Sequence, residues 1–393
     1  MDAFFAQHHD QLTQLRKEFH KNPELGFEEF KTSQKVKEIL TELDLPFVDN
    51  IGTTGIVATV NGKQPDNGRR IGLRADMDAL PLHEKSPHAH RSTNEGCMHA
   101  CGHDGHTTIL IAVAEYLAQH RDFSGTIYLI FQPAEEGRGG GDAMVKEGLF
   151  TRFPMDEVYG LHNWPYIPAG KIAVLDGPAM AAGDRLSITV KGLGGHGGAT
   201  PHLTVDPIRI SAQLVTALHS IVSREVSAMD QAVLSLCAIQ SGELEAFNVI
   251  PDTAQVNGTV RTFIPEVQDL MEAAIKRTCA GIAQSFGAEI TVDYERIIPA
   301  TVNDPACAQF VRDTIIDEFG KQALDLKTKP TLGGEDFSYM LNQVPGAYIF
   351  LGSGRHEHDH PLHSPHFDFN DAVIPIGAKL LASTAIRAVN RQD

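Results

Sequence analysis

The feature that most constrains the fold of this chain is a series of short, continuous apolar runs separated by helix-like segments. The runs are bounded by Gly, Pro or Asp, and they read GIVATV, RIGLRA, GTIYLIF and EVYGL. Runs of this length are typical of strands that are buried on both faces. The segment TTILIAVAEYLAQH has the three-to-four spacing of a helix that covers such a sheet. This alternation predicts an α/β domain with a mostly parallel central sheet and flanking helices.

The middle of the chain has a different pattern, which predicts an inserted second domain. Its segments alternate as strand, helix, two strands, a long helix and a last strand: LSITVKG, DPIRISAQLVTALHSIVS, AVLSLCAIQSG, DTAQVNGTVRTF, EVQDLMEAAIKRTCAGIAQSFG and AEITVDYERI. This β-α-β-β-α-β order is the split, ferredoxin-like arrangement. We therefore expect a discontinuous α/β domain over residues 1–180 and 297–393, with an inserted α+β domain over residues 181–296.

The length, composition and net charge of the chain indicate which classes of molecule it can bind. The chain has 393 residues, 42% of them apolar, so it is long enough for more than one domain with a buried core. Its formal net charge is -17 and it has no long basic cluster, which disfavours nucleic acids and anionic membranes as partners. The N-terminus has no secretory signal pattern, and no segment is expected to approach the roughly 18 apolar residues of a membrane helix. We therefore expect a cytoplasmic protein.

Polar side chains of metal-binding types follow the predicted strands where those strands end. RIGLRA runs into Asp76 and Asp78, IYLIFQPA into Glu135 and Glu136, VYGL into His162, and AYIFLGSG leads to a loop that contains His363. The segment MHACGHDGHTT, residues 98–108, comes just before a predicted helix. Because ligands of open α/β sheets bind beyond the carboxyl ends of the strands, we expect these side chains to meet at one edge of the sheet.

The ligand types indicate the class of metal and of reaction. Imidazole, thiolate and carboxylate together suit zinc, manganese, cobalt or nickel better than calcium or magnesium. Cys101 and His103 are two residues apart at a loop-to-helix junction, close enough to share one metal centre. Glu135 and Glu136 are adjacent, so one can hold metal while the other faces a water molecule. A Lewis acid, a water of lowered pKa and a carboxylate that moves its proton are the requirements of metal-assisted hydrolysis.

Six motifs carry a resemblance to a known family. MHACGHDGHTT, FQPAEEG, GLHNWP, GGHGGATPH, GGEDFS and LHSPHFDFND occur in that order along the chain. Together with the opening RKEFHKNPELGFEE, they resemble the aminoacylase and glutamate-carboxypeptidase family of two-metal amidohydrolases. The particular likeness is to its hippurate-hydrolase and auxin-conjugate-hydrolase branch, and it covers nearly the whole chain.

The resemblance implies roles for individual residues of a two-metal site. It implies two divalent ions per subunit, zinc, manganese, cobalt or nickel, with five ligands: Cys101, His103, Glu136, His162 and His363. Glu135 resembles the general base that activates the attacking water. Many relatives outside this branch have a ligand-bearing HxD motif where this chain has Asp76-Met77-Asp78. We therefore expect Asp78 to orient a ligand and not to bind metal itself.

The inserted domain resembles the lid and dimerisation domain of the family. By that resemblance, His196 in its GGHGG turn reaches the active site of a neighbouring subunit and stabilises the oxyanion of the reaction. Asn248 and Arg261 resemble residues that hold the substrate carboxylate, although Arg261 could equally serve a structural pair. The resemblance thus implies a homodimer, or a homotetramer, that acts on a small N-acyl amino acid.

Some histidines have plainer interpretations. His99 and His106 are expected to be hydrogen-bonded neighbours of the site and not ligands. The tract RHEHDH, residues 355–360, resembles a chelating sequence but is interpreted as a solvated loop beside the ligand His363.

Three functions remain open from the sequence. The first is metal-dependent hydrolysis of the amide bond of N-acyl amino acids. A dipeptidase or aminopeptidase of the same family would need a further acidic group to bind a free amino terminus, and the sequence does not locate one. A metal-binding protein without catalytic activity would typically have lost a ligand or the base, whereas Glu135 and the five ligand positions are intact.

Overall fold

The computed structural model describes residues 1–355 and 359–391 of the chain. Part of the RHEHDH tract, residues 356–358, therefore lies outside the described residues. The chain divides into two compact units. Unit 1 comprises Met1–Ala179, Val302–Lys329 and the described residues from Asp336 onward, and unit 2 comprises Met180–Thr301 and Pro330–Glu335.

Helices and strands occur throughout the described chain. The helices are α1 (Asp2–Lys21), α2 (Phe30–Glu42), α3 (His103–Gln119), α4 (Gly140–Lys146), α5 (Leu149–Arg152), α6 (Pro207–Arg224), α7 (Pro265–Phe286), α8 (Pro305–Phe319), α9 (Ser338–Leu341) and α10 (Ile374–Asn390). The strands are β1 (Phe47–Ile51), β2 (Gly55–Asn61), β3 (Arg70–Asp76), β4 (Thr126–Gln132), β5 (Glu157–Pro168), β6 (Ile172–Ala173), β7 (Gly177–Met180), β8 (Ala182–Lys191), β9 (Gly195–His196), β10 (Ala232–Ser241), β11 (Val249–Ile250), β12 (Thr253–Thr262), β13 (Glu289–Ile298), β14 (Thr301–Asn303) and β15 (Gly346–Gly354).

Unit 1 contains a seven-stranded sheet in the order β1-β2-β4-β3-β5-β15-β6. The central pairs β4-β3, β3-β5 and β5-β15 are parallel, as predicted. The pairs β1-β2, β2-β4 and β15-β6 are antiparallel, so the prediction of a mostly parallel sheet is corrected to a mixed one. A parallel connection needs a dozen or more residues, and the short turn between β1 and β2 permits only antiparallel pairing.

Helix α3 covers one face of the unit 1 sheet. Helix α3 is buried over most of its length, from His103 to Leu117, and contacts α1 and α10. The strands β3, β4 and β15 are almost wholly buried, which explains why their sequences are continuous apolar runs. This packing fixes the start of α3 at the carboxyl ends of the parallel strands, which is where the site is built.

One prediction about membranes was wrong. The segment Asp371–Asn390, which contains α10, is 20 residues long and apolar enough to cross a membrane by length and composition. However, 72% of its apolar window is buried inside the fold. Helix α10 contacts α1, α3 and α8, so its apolar surface is explained by its place in the core of unit 1.

Unit 2 is built on a four-stranded antiparallel sheet in the order β10-β12-β8-β13. Helices α6 and α7 contact each other and this sheet, and the shared core includes Ile188, Leu214, Val256 and Met271. A separate two-stranded ladder joins β9 and β11.

Candidate active site

The start of α3 brings the first two predicted ligands together. Cys101 and His103 flank Gly102, whose φ of +99° places it in the left-handed region. A Cβ at Gly102 would lie 2.1 Å from the Asn163 side-chain oxygen, so only glycine fits both the backbone and the space. The turn directs the buried Cys101 thiol and the buried His103 imidazole to the same side of the sheet.

A buried carboxylate orders the turn that follows β4. The Asp78 carboxylate accepts hydrogen bonds from the backbone N–H groups of Glu135, at 3.0 Å, and Glu136, at 2.9 Å. Its Oδ1 also lies 3.2 Å from His103 Nδ1. If that nitrogen carries the proton, Nε2 of His103 is free to bind a metal. Asp78 therefore orders both the glutamate pair and the histidine, which supports the orienting role expected for it.

The middle of β5 contributes His162, because the strand continues past this residue to Pro168. Its Nδ1 lies 2.7 Å from the carbonyl oxygen of Asn163, so this nitrogen donates and Nε2 is the unprotonated one. His162 Nε2 is 3.3 Å from the Cys101 Sγ. The imidazole lone pair and the thiol thus face each other across a short gap of the kind that an ion could occupy.

His363 approaches the same place from the loop after β15. The residue has a positive φ of 64°, which is uncommon for a non-glycine residue, and its N–H donates to the Ala100 carbonyl at 2.8 Å. Its Nε2 lies 3.3 Å from Glu136 Oε1. The backbone contact with Ala100 ties the His363 loop directly to the segment that carries Cys101.

The described residues of unit 1 bring all six predicted metal-site residues into overlapping groups. Ligand atoms within 4.8 Å of one another are found in the sets Cys101, His103, His162; Cys101, Glu136, His363; and His103, Glu135, Glu136. Among the described residues, His103 Nε2 and Glu136 Oε1 are buried and have no hydrogen-bond partner. Two unsatisfied buried atoms that both point into a thiolate, imidazole and carboxylate cluster fit a bound cation.

The electrostatics of this cluster also favour positive charge. Burial, followed by the charges of Glu136 and Glu135, raises the pKa of the Cys101 thiol well above its ordinary value. Burial lowers the pKa of His103, but Asp76 and Asp78 outweigh it and raise that pKa to about 10. The cluster without a cation therefore holds protons that a divalent ion would displace.

Burial and neighbouring charges shift the pKa of His162 in the opposite direction to that of His103. Burial, followed by repulsion from His106, lowers its pKa well below the ordinary value. His162 is therefore neutral at physiological pH, and the neutral imidazole is the form that binds metals.

Asp76 and His106 lie next to the cluster, and the sequence had given Asp76 no role of its own. Asp76 is fully buried, and its carboxylate lies 2.6 Å from His106 Nδ1 and 3.7 Å from His103 Nε2. His106 also lies 2.6 Å from the Asn163 amide oxygen, so its predicted hydrogen-bonding role is confirmed. The signal for Asp76 was its place at the end of β3, beside Asp78.

His99 differs from the prediction. It is 1% exposed, and within the described part of the chain neither ring nitrogen has a hydrogen-bond partner. Burial lowers its pKa to about 4, although Asp104 opposes the shift. The expectation of a hydrogen-bonded neighbour was wrong because the ring is enclosed by packing and is kept neutral.

The three residues predicted to act from the inserted segment lie in unit 2. His196 lies on β9 and Asn248 comes just before β11, and next to this ladder the Asn248 carbonyl accepts from Gly197 N–H at 2.8 Å. His196 Nδ1 accepts from the N–H groups of Gly198 and Ala199, which leaves Nε2 as the donor nitrogen of a neutral ring. Arg261 lies on β12, and its guanidinium donates to the Val260 carbonyl and the Thr259 hydroxyl of its own strand.

Comparisons with known proteins place this geometry in a family. Residues 72–387 match the model of peptidase family M20/M25/M40. A hippurate hydrolase of Campylobacter jejuni is 40% identical over 377 residues, which cover 96% of each chain. An N-acetylcysteine deacetylase of Bacillus subtilis is 35% identical and covers 96% of this chain and 97% of that relative.

A solved structure has the same fold. The Bacillus subtilis YxeP protein, described as a dinuclear metal-binding peptidase of the M20 family, superimposes with a TM-score of 0.85 at 31% identity. The alignment covers 99% of both chains. The resemblance stated from the motifs is thereby confirmed, and this chain belongs to peptidase family M20/M25/M40.

Proposed function

We propose that this chain is a metal-dependent amidohydrolase that cleaves the amide bond of N-acyl amino acids. Membership of the peptidase family makes it a hydrolase of amide bonds, and hippurate hydrolase and N-acetylcysteine deacetylase are among its similar proteins. The observation that carries the proposal is the convergence of Cys101, His103, Glu136, His162 and His363, with Glu135 alongside. Hippurate and N-acetyl amino acids are the substrate types that follow.

Two divalent ions held by these five side chains would supply a Lewis acid and lower the pKa of a water molecule. Zinc, manganese, cobalt or nickel suits the donor set, because thiolate and imidazole are combined with carboxylate. Metal removal with a chelator should therefore abolish activity, and the same ions should restore it.

Glu135 is the proposed general base. Its carboxylate lies 3.9 Å from His103 Nε2, at the edge of the ligand cluster, and the residue is 7% exposed. Its backbone is held by Asp78, so the carboxylate has a defined position. Glu135 would accept a proton from the attacking water and return it to the leaving amine nitrogen, which completes cleavage of the amide without a covalent intermediate.

We further propose that residues 181–296, which make up most of unit 2, form a ferredoxin-like lid and dimerisation domain, with residues 1–180 and 297–393 as the catalytic domain. The main elements of unit 2 follow the order β8-α6-β10-β12-α7-β13. The Nε2–H of His196 would donate to the oxyanion in a homodimer or homotetramer, and Asn248 and Arg261 would hold the substrate carboxylate. A cytoplasmic location remains a prediction.

A substrate comparison tests the proposed class. The metal-loaded protein is assayed on hippurate and N-acetyl amino acids, and on unblocked dipeptides of the same side chains. We expect the N-acyl substrates to be cleaved at higher kcat/KM. A preference for the unblocked dipeptides would indicate a dipeptidase instead.

Substitution of Glu135 tests the mechanism. Glu135→Gln keeps the shape of the side chain but cannot accept a proton, so we expect kcat to fall by about 10²–10⁴-fold with the metal content unchanged. Glu95→Gln changes an exposed glutamate that is in none of the ligand groups named above, and it is the matched control. Near-native turnover in Glu135→Gln with two bound ions would refute the assigned base.

A further inference from the structure

We propose a third metal site in unit 1, separate from the proposed catalytic pair, formed by His88, His90 and Asp368. The side-chain ligand atoms of these three residues lie within 4.8 Å of one another. His88 and His90 belong to the HAH sequence in the loop before Cys97, and Asp368 follows the His363 loop. Two imidazoles and one carboxylate are a donor set typical of zinc, nickel or copper.

The distances between the donor atoms fit one ion. His90 Nε2 lies 2.9 Å from Asp368 Oδ1, and His88 Nε2 lies 3.9 Å from Asp368 Oδ2. Donors bound tetrahedrally to one zinc at about 2.0–2.1 Å are separated by roughly 3.3 Å. The two observed separations fall on either side of this value and involve different oxygens of Asp368, so both histidines would have to shift by about half an ångström to bind one ion.

The two rings lie one above the other, so at least one must turn before both can hold a single ion, which binds close to the plane of each imidazole. The imidazoles of His88 and His90 are stacked with centroids 5.0 Å apart and planes 6° from parallel. The His88 side chain is 37% exposed and has room to turn, and its Nε2 already lies 3.9 Å from the carboxylate that His90 contacts. Binding would replace the proton between His90 Nε2 and Asp368 with the ion, and that proton would pass to solvent.

The site opens to solvent, which would supply the remaining ligand. A cavity of about 450 Å³ is lined by His88 and Asp368, and also by His360 and His366. The His360 and His366 rings lie 5.2 Å apart, on the same cavity. Water can therefore reach the exposed side of the proposed ion, and further imidazoles are near.

Two arginines contact the Asp368 carboxylate, and their positive charges would repel a cation bound there. Arg355 Nη2 lies 3.5 Å from Asp368 Oδ2, but its guanidinium is held mainly by the backbone carbonyls of Asp368 and Phe369, to which it donates at 3.0 and 2.7 Å. Arg16 Nη1 lies 3.2 Å from Oδ1, and this buried guanidinium is also paired with Asp104 and Asp371. The Arg16 charge is thus balanced by other carboxylates, which reduces its repulsion of an ion at Asp368.

The ion would act as a clip between two segments of unit 1. It would join the loop containing His88 and His90 to the segment that follows His363. Because only the folded state brings these residues together, zinc binding should stabilise the protein in proportion to the logarithm of the zinc concentration.

Metal counting tests this proposal. The metal-loaded protein is dialysed against a series of buffered free zinc concentrations, and bound ions are counted by mass spectrometry for the wild type, His88→Gln and His83→Gln. We expect one ion fewer in His88→Gln than in the wild type, because losing a ligand should weaken binding by at least about 100-fold. His83 is exposed on the same loop, so His83→Gln is the matched control and should keep the full count.

The difference between variants is independent of the proposed catalytic centre, since His88 is not one of its ligands. The activity of His88→Gln should equal that of the wild type. Its melting temperature should rise less with zinc concentration than that of the wild type, because the third site no longer contributes to the rise. Equal ion counts and equal zinc-dependent melting shifts in the wild type and His88→Gln would overturn the proposal. An ion count that drops equally in His83→Gln would also overturn it.

Discussion

At the scale of single residues, two buried carboxylates hold the turn that carries the proposed base. Glu29 Oε1 accepts from the Ala134 N–H at 2.7 Å, and Asp78 accepts from the next two amides. Ala134 has a φ of +55°, so the turn is in a conformation that non-glycine residues rarely adopt. Three consecutive N–H groups are thus satisfied by side chains that the chain supplies from two other segments.

Asp78 should affect metal binding through its neighbours. Asp78→Asn replaces one acceptor oxygen by a donor, so it cannot satisfy His103 Nδ1 and both amides together. We expect metal affinity to fall by about 10–100-fold, as for other outer partners of ligands. Competition with a chromogenic chelator measures this, and unchanged affinity would contradict the orienting role.

Glu29 should make stability depend on pH. Burial raises its pKa from 4.5 to about 7, although the hydrogen bond from Thr54 opposes the shift. A carboxyl group with a raised pKa stabilises the folded protein fully below pH 4.5, where it is protonated in both the folded and the unfolded state. This contribution to the free energy of unfolding is lost as the pH rises from 4.5 through 7, by at most about 3 kcal/mol. Glu29→Gln cannot ionise, so its free energy of unfolding should lack this decline.

Urea unfolding of the metal-free wild type and of metal-free Glu29→Gln between pH 5 and 8 measures the difference, with about one part in ten uncertainty in each extrapolated value. Parallel pH curves for the two proteins would contradict the raised pKa of Glu29.

At the scale of elements, the start of α3 joins the ligands to the core. Arg16 is fully buried in α1 and contacts Asp104 in the first turn of α3, and His20 Nδ1 lies 2.8 Å from the same carboxylate. The negative charge of Asp104 also suits the helix N-terminus. Because α1 and α3 are linked by buried charges, the position of His103 depends on how these helices are packed.

Gly102→Ala should disturb this helix start more than a glycine substitution elsewhere. The added Cβ would be 2.1 Å from the Asn163 oxygen, and φ is +99°. We expect a loss of more than about 2 kcal/mol in the free energy of unfolding, together with weaker metal binding. Gly96, with φ +77° and no atom near its Cβ position, is the matched control.

Gly96→Ala should lose only about 1 kcal/mol, because it carries the backbone strain without the collision. Thermal and chemical unfolding of both variants measure the comparison. Equal losses in Gly96→Ala and Gly102→Ala would show that the contact with Asn163 does not matter.

At the scale of the whole molecule, the proposed dimer has a direct consequence for activity. If His196 serves the active site of the neighbouring subunit, Glu135→Gln and His196→Ala chains should each be inactive alone and should complement each other. After subunit exchange, a mixture in equal amounts should recover about a quarter of the wild-type activity per chain, because half the dimers are mixed and one of their two sites is intact.

Subunit exchange is verified independently by energy transfer between labelled chains. Exchange without recovered activity would refute the action of His196 across subunits. Substantial activity of His196→Ala alone would instead show that this histidine is dispensable.

The sequence by itself determined four strands of the central sheet, the family and the residues that form the cluster. The apolar runs identify β2, β3, β4 and β5 because a strand buried on both faces must be apolar throughout. The polar residues that follow these runs stand out against them, and the resemblance to the family named the six residues of the cluster.

Only the tertiary structure decided the mixed direction of the sheet, the burial of the apolar helix α10, the enclosure of His99 and the contacts of Glu29. Strand direction depends on which strands become neighbours, and an apolar helix has the same sequence whether it faces lipid or a protein core. Likewise, a buried glutamate is indistinguishable in sequence from a solvated one until the chain brings Ala134 N–H and the Thr54 hydroxyl to it. These features depend on contacts between distant segments, which local patterns do not encode.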